Sequence, residues 1–236
     1  MPGNVHEATL SSRRALADGV IEYRFDAGAP VQSRAGQFIS LEVGRDADDN
    51  PILRSYSLAS DSNAPELMLI VKQLDGGRAT EWFKTRQIGD RVRFTGPMGF
   101  FVLDFTHPGD VVFGATGVGI APVLPMAREL LARPETGRVI LHWGNRHARY
   151  LFWHDEFAAL QKNSRFALRR WLTQPPDDWR EGAGRIVQPI RDALPELAKP
   201  TFYLVGNGAM IRDVKHALVE RGVDRKRQIR NEAFFD

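Results

Sequence analysis

The pattern of apolar and polar residues changes near the middle of the chain. From Val5 to about Phe105, short runs of β-branched and aromatic residues alternate with polar ones, as in VIEYRF, QFISLEV, ELMLIVKQL and RVRFTG. Gly, Asp, Asn and Pro separate these runs, and short alternating strands at such intervals are typical of an antiparallel barrel or sandwich. The segment RATEWFKTR within this half is predicted to be a short helix.

After THPGD, strand-like and helix-like segments follow one another. The apolar run VVFGA precedes the helical pattern PVLPMARELLA, and the order continues through RVILHW, LFWHDEFAALQ, FALRRWL, a short helix near IRDALPEL, TFYLV and AMIRDVKHALVER. This alternation predicts a parallel sheet with helices on both faces. We therefore predict two domains, an antiparallel β-barrel over residues 1–106 and a doubly wound α/β domain over residues 107–236, with the boundary near His107–Gly109.

Composition narrows the class of protein. No apolar run approaches the roughly 20 residues that span a membrane, and the first residues, MPGNVHEATL, lack the layout of a signal peptide. The sequence has no cysteine, which excludes disulfides, thiolate metal sites and cysteine-ligated iron–sulfur clusters within it. The basic patches are not paired with a nucleic-acid reading motif. We expect a cytoplasmic protein that binds neither nucleic acid nor membranes. We also expect no metal site, because the histidines His142, His147 and His154 lack metal-ligand spacing.

The stretch RSYSLAS could hold a cofactor that combines a phosphate with an aromatic ring. Arg54, Tyr56 and Ser60 are predicted to share, or nearly share, one strand face, with Ser57 on the other. A guanidinium group suits phosphate, a tyrosine ring can stack on a flat cofactor, and a serine hydroxyl can donate to a ring nitrogen. The alternative is a strand with a purely structural role.

Gly76 and Gly77 precede the short helix of the first half, and Thr80 lies in its first turn. Backbone N–H groups at the start of a helix attract anions. This segment is therefore either an anion-binding helix start or a plain Gly-Gly turn, and the residues alone do not separate the two.

Two further glycine loops lie between a strand and a helix in the second half. In GATGVGIAP, Gly117 and Gly119 form a G-x-G, and Pro122 stands where a dinucleotide-binding loop has its third glycine. Proline fits the first turn of a helix, because its missing N–H has no partner there. The second loop is Gly206-Asn207-Gly208. Because the carboxyl ends of parallel strands share one edge of a sheet, we expect the two loops to converge as a nucleotide site.

The sequence ends in NEAFFD. Phe234 and Phe235 could be frayed or packed into the core. Two aromatic rings this close to the end could instead cover a flat cofactor.

These features, in this order, resemble the ferredoxin–NADP reductase superfamily, in which a flavin-binding barrel precedes a nicotinamide-binding domain. The resemblance covers nearly the whole chain. It rests on six short motifs, namely GQFISL, R-x-Y-S at Arg54, Tyr56 and Ser57, GDRVRFTGPMG, G-x-G-x-x-P at Gly117, Gly119 and Pro122, WGNR, and GNGAMI.

The resemblance implies FAD as the cofactor of the first domain. Arg54 would bind the pyrophosphate, Tyr56 would pack against the isoalloxazine, and Ser57 would hydrogen-bond near flavin N5. Further along the cofactor would lie Val71 and Lys72, with Gly77, Ala79 and Thr80 holding the pyrophosphate. The presence of this pyrophosphate segment favours FAD over FMN.

The resemblance also implies a nicotinamide nucleotide site in the second domain. Its residues would be Thr116, Gly117, Val118, Gly119 and Pro122 of the first loop, and Gly206, Asn207, Gly208 and Met210 of the second. Glu232 and Phe234 match the acidic and aromatic tail of the family, which lies close to the flavin. With Ser57 they are the candidate catalytic residues, and Phe234 would have to shift to admit the nicotinamide.

Two departures from the family pattern affect this interpretation. Many relatives carry a cysteine where this chain has Val205, so no thiol can assist near the nicotinamide. NADPH-selective relatives often place Ser-Arg where this chain has Gln174 and Pro175. We therefore expect NADH rather than NADPH as the electron donor, although Arg146 and Arg185 could still bind a 2′-phosphate.

The implied reaction is hydride transfer from the nicotinamide to FAD, followed by single-electron release. Because the sequence has no cysteine for a fused iron–sulfur domain, the electrons would leave to a separate protein such as a ferredoxin, a flavodoxin or an oxygenase component. The net charge of +3 favours an acidic acceptor. Two alternatives are an NAD(P)H:flavin reductase that releases free reduced flavin, and a non-catalytic flavin-binding sensor or subunit.

Overall fold

The computed structural model describes residues 5–106 and 109–235. Within this range the chain divides into two units, the first ending at Val102 and the second beginning at Leu103. The sequence placed the boundary near His107–Gly109, a few residues further along, and His107 and Pro108 lie outside the described residues.

The first unit is built on a six-stranded antiparallel sheet. Its strands are β1 (Val5–Ala17), β2 (Val20–Asp26), β3 (Phe38–Arg45), β4 (Pro51–Ser57), β5 (Glu66–Lys72) and β6 (Arg91–Met98), in the order β4-β3-β6-β1-β2-β5. The two edge strands meet, because Leu58 bridges Leu69 of β5 and the Ala59 N–H donates to the Met68 carbonyl at 2.8 Å. This bridge closes the sheet into the predicted barrel.

The closure also corrects one expectation about RSYSLAS. Strand β4 ends at Ser57, because Leu58 and Ala59 turn to pair with β5. Ser60 therefore lies outside the strand and does not continue the face of Arg54 and Tyr56.

The short helix of the first unit, α1 (Arg78–Thr85), is held by one aromatic side chain. Phe83 is fully buried, and its ring centroid lies 4.4 Å from that of Tyr23 and 5.6 Å from that of Tyr56. These contacts fix α1 against β2 and β4. The helix occupies the segment that the sequence pattern predicts.

The second unit contains a six-stranded parallel sheet. Its strands are β7 (Val111–Thr116), β8 (Val139–Asn145), β9 (Phe166–Leu172), β10 (Gly182–Ala183), β11 (Thr201–Asn207) and β12 (Ile229–Phe235), in the order β10-β9-β8-β7-β11-β12. Its helices are α2 (Val123–Leu131), α3 (His154–Leu160), α4 (Val187–Ala193) and α5 (Gly208–Val219). The chain runs outward from β7 and then returns to its other side at β11, so the strand order reverses between these two strands.

Helices cover both faces of this sheet. Successive residues of a strand point to opposite faces. On β8, Trp143 contacts Phe157 of α3, whereas a Cβ added at Gly144 would meet Ile186, the residue before α4. The predicted doubly wound arrangement is therefore confirmed. None of the helices in the described ranges has the length and apolar character that crossing a bilayer requires.

Helices α3 and α4 have bounds that differ from those the sequence pattern predicts. Helix α3 begins at His154 rather than Leu151, because Trp153 has a left-handed backbone (φ 56°, ψ 37°). Helix α4 begins earlier than expected, at Val187, and ends at Ala193. A 3₁₀ turn, Leu194–Glu196, replaces the predicted last turn, since Pro195 has no N–H for an α-helical bond.

A buried histidine lies in the middle of the parallel sheet. His142 on β8 is 4% exposed, it stacks on Trp171 at a centroid distance of 6.2 Å, and neither ring nitrogen has a hydrogen-bond partner among the described residues. Burial lowers the pKa of His142 to about 4, and the charge of Arg169 acts in the same direction. The side chain is neutral near pH 7.

This burial predicts acid-sensitive stability. Above pH 6.5 His142 is neutral in both the folded and unfolded states, whereas between pH 6.5 and 4 only the unfolded chain takes up the proton. In urea unfolding, we expect this residue to lower the free energy of unfolding by about 2 kcal/mol between pH 7.5 and 5. His142→Phe should lose that component, while the exposed control His216→Gln should keep it. An unchanged pH dependence in His142→Phe would contradict this explanation.

Candidate functional site

The loops that follow β7 and β11 are hydrogen-bonded at the carboxyl edge of the parallel sheet. The Asn207 N–H donates to Thr116 Oγ1 at 2.9 Å, which joins the last residues of the two strands. Gly206, just before, has a φ of +118°, and a Cβ added there would lie 2.4 Å from Thr116 Oγ1. Both the backbone conformation and the space therefore require glycine at position 206.

The two loops also touch backbone to backbone. A Cβ added at Gly119 would lie 2.8 Å from Gly206 Cα and 2.9 Å from the Val205 carbonyl oxygen. Such distances are too short for any side chain, so the close approach depends on Gly119. The predicted convergence of the two glycine loops is present, and it occurs where the strand order reverses, which is where open α/β sheets bind ligands.

The first loop turns tightly before its helix begins. Gly117 has a φ of +55° and starts a 3₁₀ turn, Gly117–Ile120. Pro122 follows as the residue that caps α2, with helical dihedral angles. The loop is also held by the neighbouring strand β8, because the indole N–H of Trp143 donates to the Gly117 carbonyl at 2.9 Å.

The second loop passes directly into α5. The side-chain oxygen of Asn207 accepts the Met210 N–H at 3.1 Å and so caps the helix. Gly208 is the first residue of α5 and is buried, as is Met210. Asn207 therefore has two structural tasks, one through its backbone N–H to Thr116 and one through its side chain to Met210.

A cavity of about 390 Å³ lies at this edge. Its walls include Thr116, Gly117, Arg146, Arg185, Asn207 and Met210. Arg146 donates from Nε to Gln174 Oε1 at 3.2 Å and has no carboxylate partner among the described residues. Arg185 lies 3.7 Å from Asp213, which also lines the cavity.

Asn145 is one of several cavity-lining residues that the sequence interpretation missed. Asn145 ends β8, lines the cavity and is 9% exposed, and its amide nitrogen has no hydrogen-bond partner among the residues that the structure describes. A buried amide donor without a partner is costly unless a ligand or water satisfies it. Two arginines, an unsatisfied amide and a glycine-lined wall suit an anionic nucleotide. The only sequence signal for Asn145 was its place in WGNR.

The carboxyl-terminal residues extend the same edge. Strand β12 pairs in parallel with β11, with Glu232 opposite Val205 and Ala233 opposite Gly206. The register then shifts, so Phe234 falls at the irregularity beside Gly206 and Asn207. Glu232 and Phe234 are each half-buried, and the side chain of Phe235 lies outside the described residues. Val205, at the position of the family cysteine, is fully buried.

In the first unit, the end of β4 carries the candidate flavin residues. Arg54 is exposed, its Nη1 donates to the neighbouring Leu53 carbonyl at 2.8 Å, and it forms no ion pair among the described residues. The ring of Tyr56 is positioned by Phe83. Burial raises the pKa of Tyr56 to about 12, although the nearby Arg54 charge opposes this. Ser57 is buried and pairs with Phe38 of β3.

The start of α1 is a second group of candidate flavin residues. The Leu74 N–H donates to Thr80 Oγ1 at 2.9 Å, and a Cβ at Gly77 would lie 3.0 Å from the Leu74 carbonyl oxygen. Thr80 and Gly77 thus shape this turn. The exposed guanidinium of Arg54 and the amino-terminal end of α1 fit a flavin with a pyrophosphate.

The structure assigns different surroundings to Val71 and Lys72. The Val71 side chain is 3% exposed and belongs to the barrel core, so it is not available to contact a cofactor. Lys72 Nζ donates to the Asp18 carbonyl at 2.7 Å. Ala79 is half-buried and packs against the same core.

Comparison with known proteins agrees with both halves of this arrangement. The oxidoreductase FAD-binding domain family matches residues 7–103, and the oxidoreductase NAD-binding domain family matches residues 113–216. The chain belongs to the ferredoxin–NADP reductase superfamily. As a member of this superfamily it is an oxidoreductase that uses FAD and a nicotinamide nucleotide.

The relatives of this chain in the superfamily are named for different redox partners. The chain is 28% identical over 231 residues to ferredoxin–NADP reductase B of Sorangium cellulosum, covering 93% of this chain and 94% of that protein. It is 28% identical over 237 residues to NADH-cytochrome b5 reductase 1 of Kluyveromyces lactis, covering 95% and 83%. The structure of Amycolatopsis cytochrome P450 reductase GcoB superposes with a TM-score of 0.86 at 27% identity, covering 99% of this chain and 71% of that one.

Because the two glycine loops are in close contact, a single methyl group added at Gly206 should weaken nucleotide binding. Gly206→Ala should push Thr116 and Gly206 apart and raise the Kd for NAD⁺ by about tenfold or more, since overpacking costs about 1–3 kcal/mol. Gly222→Ala is the matched control, because Gly222 also has a positive φ (+85°) but nothing within 4 Å of an added Cβ. The control should lose about 1 kcal/mol of stability from strain alone and keep its NAD⁺ affinity. Calorimetric titration of both variants checks this; equal Kd values would contradict it.

Proposed function

We propose that this chain oxidises NADH through bound FAD and passes the electrons singly to a separate acidic protein, such as a ferredoxin, a flavodoxin or an oxygenase component. The observation that carries the proposal is the glycine-lined cavity at the carboxyl edge of the parallel sheet, with Glu232 and Phe234 on the same edge. The family membership supports the chemistry, and the relatives named above support a protein acceptor.

The residues of the second unit would bind and orient the donor. The backbone of the Gly117–Ile120 turn would face the nucleotide, and Arg146 and Arg185 supply positive charge for its phosphates. The buried amide of Asn145 is available as a donor at the same wall. These groups would hold the nicotinamide in one orientation, which is the protein's main contribution to hydride transfer.

The residues of the first unit would hold the flavin. Arg54 would neutralise the pyrophosphate, and the backbone N–H groups in the first turn of α1, which follows Gly77, would add donors. Tyr56, fixed by Phe83, would pack on the ring system. When bound, FAD supplies the redox chemistry that the side chains of this chain do not have. By resemblance we assign Ser57, Glu232 and Phe234 to the surroundings of the reacting atoms.

The cavity charges support NADH as the donor. Of the two cavity arginines, Arg185 lies 3.7 Å from the carboxylate of Asp213, which offsets part of its charge. Asp213 also brings a carboxylate to the cavity wall, which would repel a 2′-phosphate.

Anaerobic stopped-flow bleaching of the flavin with NADH and NADPH tests donor use. We expect the protein to purify yellow, NADH to bleach it, and kcat/KM for NADH to exceed that for NADPH by about tenfold. Asp213→Asn, which removes the repelling carboxylate, should raise NADPH use selectively by about threefold to tenfold.

The outcomes of this experiment separate the alternatives. A flavin that neither nucleotide bleaches would overturn the proposal in favour of a non-catalytic flavin-binding subunit. A colourless protein that reduces added flavin would favour a flavin reductase. NADPH use that equals NADH use would contradict the donor assignment alone.

The acceptor assignment predicts a salt effect. The sequence carries a net charge of +3, so attraction to an acidic acceptor should be screened as salt is added. We expect the rate of ferredoxin reduction to fall several-fold between about 10 mM and 500 mM ionic strength. Reduction of an uncharged quinone is the control and should change little. Equal salt dependence for the two acceptors would contradict electrostatic docking.

A further inference from the structure

We propose that Trp143 is a positioning residue for the nicotinamide nucleotide: its indole N–H holds the Gly117 carbonyl and thereby fixes the orientation of the first glycine loop. This inference rests on the proposed nucleotide site. Trp143 is fully buried on β8 and does not line the cavity, so it would act through Gly117, which does.

The indole ring has no freedom to follow a moving loop. Its centroid lies 5.2 Å from that of Phe152, with an interplanar angle of 83°, and 5.9 Å from that of Phe157. Phe152 also packs edge-on against Trp153 at 5.1 Å. Close packing with other aromatic rings holds the indole in one orientation. Its N–H therefore points in one fixed direction, toward the Gly117 carbonyl.

The hydrogen bond determines where the next amide points. In a trans peptide the C=O of one residue and the N–H of the next lie on opposite sides of the chain. With the Gly117 carbonyl turned inward to Trp143, the Val118 N–H points away from the aromatic cluster. Val118 lies in the first turn of the 3₁₀ helix, where N–H groups have no partner within the helix. By holding the Gly117 carbonyl, Trp143 thus directs the Val118 N–H outward.

Loss of the indole donor would release this restraint. Gly117 has a φ of +55° and no side chain, and a Cβ added there would meet nothing within 4 Å. Without the indole, the Gly117 carbonyl keeps only the i→i+3 bond of the 3₁₀ turn, and the glycine itself adds no steric restraint. The neighbouring contact between Gly119 and Gly206 restrains the far end of the turn but not this peptide.

The chain offers a matched pair of tryptophans for the test. Trp143→Phe removes the N–H and keeps an aromatic ring in the cluster. Trp171→Phe is the control, because the Trp171 indole nitrogen is buried and has no hydrogen-bond partner among the described residues. Removing this N–H breaks no hydrogen bond among the described residues, so it should leave the nucleotide site unchanged.

Calorimetric titration of the flavin-loaded protein with NAD⁺ gives the first measurement. We expect the Kd to rise about threefold to tenfold in Trp143→Phe, the range that follows from losing one hydrogen bond, and to stay within twofold in Trp171→Phe. Melting temperatures of both variants show whether a general loss of stability accompanies the change.

A second measurement uses the wild-type protein and remains valid if Trp143→Phe folds poorly. In a ¹⁵N–¹H spectrum of the wild type, the Trp143 indole resonance should shift on saturation with NAD⁺, while that of Trp171 should not. A structural role in the core alone would leave the Trp143 resonance unmoved by ligand. Assignment comes from the peak that Trp143→Phe lacks or, if that variant is insoluble, from triple-resonance spectra.

The outcomes distinguish the two levels of the proposal. NAD⁺ binding to wild type with an unchanged Kd in Trp143→Phe and an unmoved indole resonance would overturn the positioning role alone. Absence of NAD⁺ binding to wild type would overturn the proposed nucleotide site and this inference together. A raised Kd confined to Trp143→Phe, with a shifted indole resonance, supports both.

Discussion

The backbone contact between Gly119 and Gly206 is the constraint on which the nucleotide site depends. It brings the loops that follow β7 and β11 together at the point where the strand order reverses. Three features make it possible: glycine at both positions, the positive φ of Gly206, and the hydrogen bond from Asn207 to Thr116. A side chain at either glycine would separate the loops and open the wall against which a nucleotide would lie.

The two edges of the parallel sheet are built in contrasting ways. At the amino edge, Asp110 accepts hydrogen bonds from the Arg138 side chain and from the Arg138 and Ala198 N–H groups. Burial would raise the pKa of Asp110, but these hydrogen bonds outweigh it and hold the pKa below its usual value. At the carboxyl edge, by contrast, the structure has glycines, a cavity and the unsatisfied amide of Asn145. This contrast supports the proposed ligand site at the carboxyl edge and a structural role for the amino edge.

Local sequence patterns were sufficient for the barrel, the alternating strands and helices, and the convergence of the two glycine loops. Each depends on residues close together in the chain, such as the period of VIEYRF or the order of strand, glycine and helix around Gly117. The boundary of α3 was not predictable in this way, because Trp153 takes a left-handed backbone that its residue type does not favour. The two-residue strand β10 is also too short to leave a periodic pattern. Strand β12 was interpreted only as a tail, since its pairing partner β11 lies more than twenty residues earlier.

Within the candidate site, sequence motifs identified the residues but not their tasks. Asn207 was expected to contact the nucleotide, yet the structure uses its N–H and its side chain to join the loops and cap α5. Trp143 was not among the predicted site residues, and only the fold shows its indole donating to the loop that follows the neighbouring strand β7. Such contacts depend on register between strands, which no single segment encodes. Val71 is a similar case. Its place in the sequence suggested a cofactor contact, but its side chain lies in the barrel core.

The placement of the nucleotide is tested most directly by amide chemical shifts of the ¹⁵N-labelled, flavin-loaded protein during titration with NAD⁺. We expect the largest shifts at Gly117, Val118, Gly119, Asn207 and Arg146, all at the carboxyl edge of the parallel sheet. Shifts confined to the amino edge, at residues such as Asp110, Gly137 and Thr201, would contradict a nucleotide site between the two glycine loops.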